Sequence, residues 1–306
     1  MSVTPIKKKE YYDCIDCSLS NMFEQFGEDY RKVFINSFGF EYLRKDEFLN
    51  SIIATSFVPV HEIIHDYTNL EYNIEFIESK DLENYLIERV RDNKFLGVNI
   101  DAFYLPWNKY YNALHREHNI LAESYREEQG MLNVYDVYLI PGLQELDIES
   151  LKKGYSFSFY LTRKEVLSEQ MCKALTEQLK TFMNETEEER ENAIALFLQD
   201  IENLEYYDYD TNLIDSTDFV FSFAGFIWSR IKALDYVNLL REQSHYSNLT
   251  LIEETLQQNV ALWRKLKNYV VKNIIIKRNV CARQILELKP ELIHTEKKLV
   301  GYINNM

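Results

Sequence analysis

The chain has 306 residues, 46% hydrophobic and 14% aromatic, enough to bury one large or two modest cores. Its 34 Lys and Arg against 49 Asp and Glu leave a formal charge of -15, which opposes binding to a nucleic-acid phosphate backbone. It has no run of about 18 apolar residues to span a bilayer, and its opening, MSVTPIKKKEYYDC, lacks the apolar centre of a signal peptide; a cytoplasmic protein with reduced thiols is expected.

In chain order, the first notable stretch is YYDCIDCSLSNMFEQFG, residues 11–27, which sets Cys14 and Cys17 three apart. Leu19, Met22, Phe23 and Phe26 follow at helical spacing, and Gly27 suits a left-handed stop, so a helix over 18–26 is predicted just after Cys14. A second helix is expected after Ser79 in DLENYLIERVRDN, with acids in its first turn. Around it, runs rich in β-branched and aromatic residues predict strands at 73–79, 94–100, 119–125, 131–137 and 155–161, with REEQG turning the third into the fourth as a hairpin. Beyond residue 165 the pattern is helical, over 164–184, 187–204, 216–243 and 250–274; in the last, Leu256, Val260, Trp263, Leu266 and Val270 form a core-facing stripe. The expected division is an α+β domain, residues 1–162, and an all-helical domain, residues 163–306. Cys172 and Cys281 stand alone on helical stretches and read as buried small hydrophobes.

The paired cysteines admit several chemistries. A Cys2His2 zinc site would have to borrow His61/His65 or His115/His118, neither on a zinc-finger hairpin, and a C-x-x-C redox motif should follow a strand, which this one does not; no metal is assigned. A nucleophile explains more. A thiol just before a helix sits where unpaired N–H groups and the helix dipole favour a thiolate, which then needs a base and an orienter for that base. In LHREHNILAESYREEQGMLNVYDVYL, His118 precedes one predicted strand and Asp136 ends the next, so the hairpin brings together residues 18 apart. Cys14, His118 and Asp136 are therefore the candidate triad, with Cys17 and His115 as competitors for the first two places. Asp101, at the end of the strand FLGVNI, is a candidate to bind a substrate amine, with a loop-capping role as its alternative.

With Cys14 in the pair DC, a Gly 13 residues later, then His and Asp across a hairpin, the chain resembles papain-like cysteine enzymes such as the leader-peptidase domains of bacteriocin exporters. More closely, DAFYLPWNKYYNALHREHNIL is similar to the segment before the catalytic His in the butirosin biosynthesis protein H family, whose members join such a domain to a helical C-terminal region. The resemblance covers residues 10–140, and the helical half by general architecture. It implies a papain-like domain, its N-terminal helix packed on an antiparallel sheet, acting as an acyltransferase in natural-product biosynthesis. Cys14 would take an acyl group from the phosphopantetheine thioester of an acyl or peptidyl carrier protein and pass it to an amine acceptor, with no other cofactor. Papain-like enzymes place a Gln a few residues before the Cys as an oxyanion donor; here KKKEYYD has none, leaving the Cys14 N–H and an unidentified second donor, to which Lys8, Lys9 or Asn21 could contribute. Carrier proteins are acidic, so docking calls for a local basic face, for which Lys7–Lys9 and the last helices are candidates. A cysteine peptidase or amidase, and a scaffold with a decayed triad, are the alternative functions; acyl group, acceptor and oligomeric state are not legible.

Overall fold

The computed structural model describes residues 9–92, 95–166, 168–203, 217–243, 248–276 and 282–306. Lys7, Lys8, Cys281 and the aromatic run at 206–210 lie outside the described residues, as does the Cys172 side chain. The chain is a mixed α+β protein that divides into two compact units, Met1–Tyr30 with Ile64–Ser168, and Arg31–Ile63 with Glu169–Met306.

In the first unit, β3 (Leu70–Glu75), β4 (Leu96–Asp101), β5 (Glu117–Arg126), β6 (Met131–Tyr135), β7 (Leu143–Asp147) and β8 (Tyr155–Arg163) form one antiparallel sheet in the order β3-β8-β4-β5-β6-β7. Helix α1 (Cys14–Gln25) packs against β5 and β8, while α3 (Leu82–Asp92) packs against β5 and α4 (Ile148–Gly154) against β4 and β7. Alternation along the strands supplies this core: Leu96, Val98 and Ile100 of β4 meet Ile120 and Ala122 of β5 and Leu132 and Val134 of β6, all fully buried. The absence of a side chain at Gly97 lets the Phe159 ring lie on the strand, since a Cβ there would stand 2.3 Å from it.

The expected hairpin is present, β5 turning into β6 through Glu127–Gln129 and Gly130, whose φ of +61° a β-branched residue would not accept. The predicted strands and the helix after Ser79 are found within a few residues of their expected limits. The first helix begins earlier than its apolar spacing suggested. Asp13 and Asp16 form a capping box, each carboxylate accepting the other's backbone N–H at 2.9 and 3.0 Å, so the helix starts at Cys14. It stops at Gly27, φ +66°, as expected.

The second unit holds α5 (Leu175–Met183), α6 (Glu187–Glu202), α7 (Asp218–Gln243), α8 (Leu249–Ile275) and α9 (Ala282–Asn304). Leu256, Val260, Trp263, Leu266 and Val270 are buried as one stripe of α8. The expected helix over 164–184 is not continuous: Lys173 and Ala174 are extended, and the Gln178 side chain donates to the Lys173 carbonyl at 2.9 Å in place of a helical bond. The compact units also differ from a division at 162/163. Residues 31–63, with the two-stranded sheet β1 (Glu41–Leu43) and β2 (Ile52–Ala54), pack into this unit, so it is not all-helical, although its C-terminal stretch is helical among the described residues. The reason is aromatic: Phe40 stacks on Trp263 at 5.5 Å and meets Phe197 and Phe226 edge-on, and Phe48 lies against Phe219. Below them Glu296 is fully buried and accepts from Arg190, Arg230, Asn259 and Trp263, while both arginines also donate to the Phe38 carbonyl. Helix α2 (Val60–Tyr67) follows β2. Among the described residues no helix is long and apolar enough to cross a membrane.

Candidate active site

The capping box makes Cys14 the first residue of α1, so its own N–H has no acceptor within the helix and the positive end of the helix dipole lies at its sulfur. Cys14 is partly exposed. Cys17, one turn on, is 3% exposed and packs inward, its carbonyl accepting from Asn21 Nδ2 at 2.6 Å and Ser20 Oγ at 3.2 Å. The two cysteines therefore face different surroundings, and Cys14 is the one whose sulfur lies 3.4 Å from Asn119 of the hairpin.

His118 is the second residue of β5, and Asp136 directly follows β6. Leu121 pairs with Tyr135, so the register carries Asp136 back toward the start of β5. His118 Nε2 lies 2.8 Å from Asp136 Oδ2, and Cys14 is near enough to add to the basicity of the imidazole. Burial pushes the His118 pKa down, but the hydrogen bonds and negative charges of Asp136 and Cys14 outweigh it and lift it from 6.5 to about 9.

Asp136 is held as firmly as it holds His118. Its Oδ2 also accepts from Trp107 Nε1 at 2.8 Å and its Oδ1 from the Leu139 N–H at 3.1 Å, leaving the residue 1% exposed. Such a carboxylate fixes one tautomer and one ring orientation of its histidine. Tyr138, on the same turn, brings its ring centroid within 5.9 Å of His118; its pKa is raised by burial and then by the charges of Cys14 and Asp13.

His115 and Asp101 form a separate pair. His115 Nδ1 lies 2.5 Å from Asp101 Oδ2 and its ring stacks on Phe103 at 4.4 Å. Asp101 Oδ1 accepts from the N–H groups of Phe103 and Arg116 at 3.0 and 3.1 Å. Burial raises the Asp101 pKa, but these donors hold it below the ordinary range. Both oxygens are spent within the loop, and of the two roles weighed for Asp101 this geometry supports loop capping over amine binding.

Two residues unmarked in the sequence reading stand beside the triad. Trp107 was hidden because it reaches Asp136 from a loop 29 residues away. Asn119 directly follows His118, and its Nδ2 lies 3.4 Å from Cys14 Sγ. Of the donors considered earlier, Asn21 is committed to the Cys17 carbonyl, and Lys9 lies over the rings of Tyr11 and Tyr12 at 5.9 and 5.3 Å. Among the described residues no three His, Cys, Asp or Glu side chains cluster as metal ligands would. No protein-family model matches this chain, and no curated protein matches it.

Proposed function

We propose that the chain is a papain-like cysteine acyltransferase that moves an acyl group from a carrier-protein thioester to an amine through an acyl-Cys14 intermediate. The observation that supports this reading is Cys14 at a helix start, its sulfur 3.4 Å from Asn119 beside His118, with Asp136 on the imidazole at 2.8 Å. The resemblance to the butirosin biosynthesis protein H family supplies the donor and acceptor classes.

In the first half-reaction the Cys14 sulfur, its proton resident on His118, attacks the thioester carbonyl carbon. A C–S bond forms and the carbonyl electrons move onto oxygen. Collapse of this intermediate breaks the carbon's bond to the carrier sulfur, and His118 delivers its proton to the departing thiolate. In the second half the amine attacks acyl-Cys14, gives a proton to His118, and the Cys14 sulfur leaves. Asp136 keeps one orientation of the His118 ring while its protonation alternates through the two halves.

The test is intact-mass spectrometry of the chain incubated with an acyl thioester and then a primary amine. Acyl adduct on Cys14, discharged to amide product faster than to free acid, is expected; Cys14→Ala forms none and Cys17→Ala still forms it. Discharge to water in preference to amine would make the protein an amidase or peptidase, and no adduct with any thioester would leave the scaffold reading.

A further inference from the structure

The oxyanion site lacks a visible second donor in the sequence, and the structure offers one from an unexpected strand. Asn119 directs Nδ2 at Cys14 Sγ from 3.4 Å. Its amide is held in that sense by Asn99, its direct cross-strand partner in β4, whose Nδ2 donates to Asn119 Oδ1 at 3.1 Å. With Oδ1 occupied, the Asn119 NH2 faces the sulfur.

The Asn99–Asn119 pair is costly to keep for stability alone. Asn99 is 3% exposed, and its Oδ1 has no hydrogen-bond partner among the described residues. Such a buried, incompletely satisfied amide lowers stability, and in native proteins each case calls for a reason. The pairing of β4 with β8 also slips between Asn99 and Ile100, an irregularity of the kind that re-aims side chains beside active sites. Asn21 and Lys9, the other candidates described, have contacts of their own, to the Cys17 carbonyl and to the rings of Tyr11 and Tyr12.

We infer that Asn119 is the second oxyanion donor, acting with the Cys14 backbone N–H, and that Asn99 is the positioning residue that sets its amide. This rests on Cys14 being the acylated nucleophile. As the Sγ–carbon bond forms and the carbonyl electrons shift to oxygen, the Asn119 NH2 and the helix-start N–H of Cys14 donate to that oxygen; when the acyl–sulfur bond of the donor breaks, the electrons return to the carbonyl. No other reactant is needed.

The experiment compares two reactions of the same sulfur in the full chain. Acylation by the acetyl thioester of N-acetylcysteamine passes through an oxyanion, whereas alkylation by iodoacetamide is a direct displacement that forms none. Asn119→Ala is expected to slow acylation of Cys14 by about 10²–10³-fold, the loss typical of one oxyanion donor, while alkylation stays within about threefold of wild type. Asn99→Ala should slow acylation by roughly tenfold with alkylation likewise preserved. Equal acylation by wild type and Asn119→Ala overturns the inference and leaves the acyltransferase reading standing. Parallel losses in both reactions also overturn it, because they assign Asn119 to holding the thiol or the fold. Wild-type chain alkylated at Cys14 but never acylated overturns the acyltransferase reading, and the inference with it.

Discussion

Replacing Asp136 by Asn tests the electrostatics on which the site depends. Burial alone would make His118 less basic than a free histidine; the hydrogen bonds and charges of Asp136 and Cys14 reverse this and bring it from 6.5 to about 9. That difference is worth about 3 kcal/mol in favour of the folded, protonated state. Because the folded pKa is the raised one, the contribution is fully present below about pH 6.5 and is lost as pH climbs through about 9. Between those values the native chain binds more protons at this site than the unfolded chain, so the unfolding free energy falls with pH. Asp136→Asn removes the anion and keeps the burial. His118 should then titrate at least one pH unit lower, and the decline in stability between pH 6.5 and 9 should flatten relative to wild type. Ring-carbon NMR of histidine-labelled protein, with the His118 resonance assigned from His118→Gln, gives the first quantity, and urea unfolding across that pH range gives the second. A wild-type His118 titrating at or below 6.5, or one that Asp136→Asn does not move, would refute the account.

Trp107→Phe keeps an aromatic side chain, though a smaller one, and removes the indole N–H that Asp136 accepts at 2.8 Å; a loss of about 1–2 kcal/mol in urea unfolding is expected, with a several-fold slower acylation of Cys14 in single-turnover mass spectrometry. In the second unit Glu296→Gln leaves Arg190 the carboxylate of Glu185, but leaves Arg230 only neutral acceptors among the contacts shown, the carbonyls of Ser37 and Phe38 and the remaining amide oxygen. The uncompensated buried charge should cost about 3–5 kcal/mol by the same unfolding assay, and a loss below about 1 kcal/mol would show that the network is solvated.

The contact of His118 with Asp136 was legible because a hairpin converts sequence separation into proximity by simple counting: with the turn located at REEQG, the two had to meet. The start of α1 was also written in the sequence, as Asp-x-x-Asp at 13–16, but its signal is polar and an apolar periodicity search passes over it. Asn119 and Trp107 were not legible for another reason. Whether Asn119 meets the sulfur depends on the register of β4 with β5 and on Asn99 opposite it, and neither leaves a pattern within one segment. The grouping of residues 31–63 with the C-terminal helices was not legible, because its strands are three residues long and its apolar residues find their partners more than a hundred positions away.

The placement of residues 31–63 also orders events during synthesis. Every strand of the large sheet and α1 lie before residue 164, so Cys14, His118 and Asp136 can come together while the C-terminal helices are still being translated. Phe40, Phe48, Leu49 and Ile53 cannot yet do the same, since Phe197, Phe219, Phe226 and Trp263 do not exist. At ribosomal rates those side chains wait on the order of 10 s for their cover, which makes the nascent chain, and any fragment cut at the end of the sheet, a substrate for chaperones even when its triad is complete.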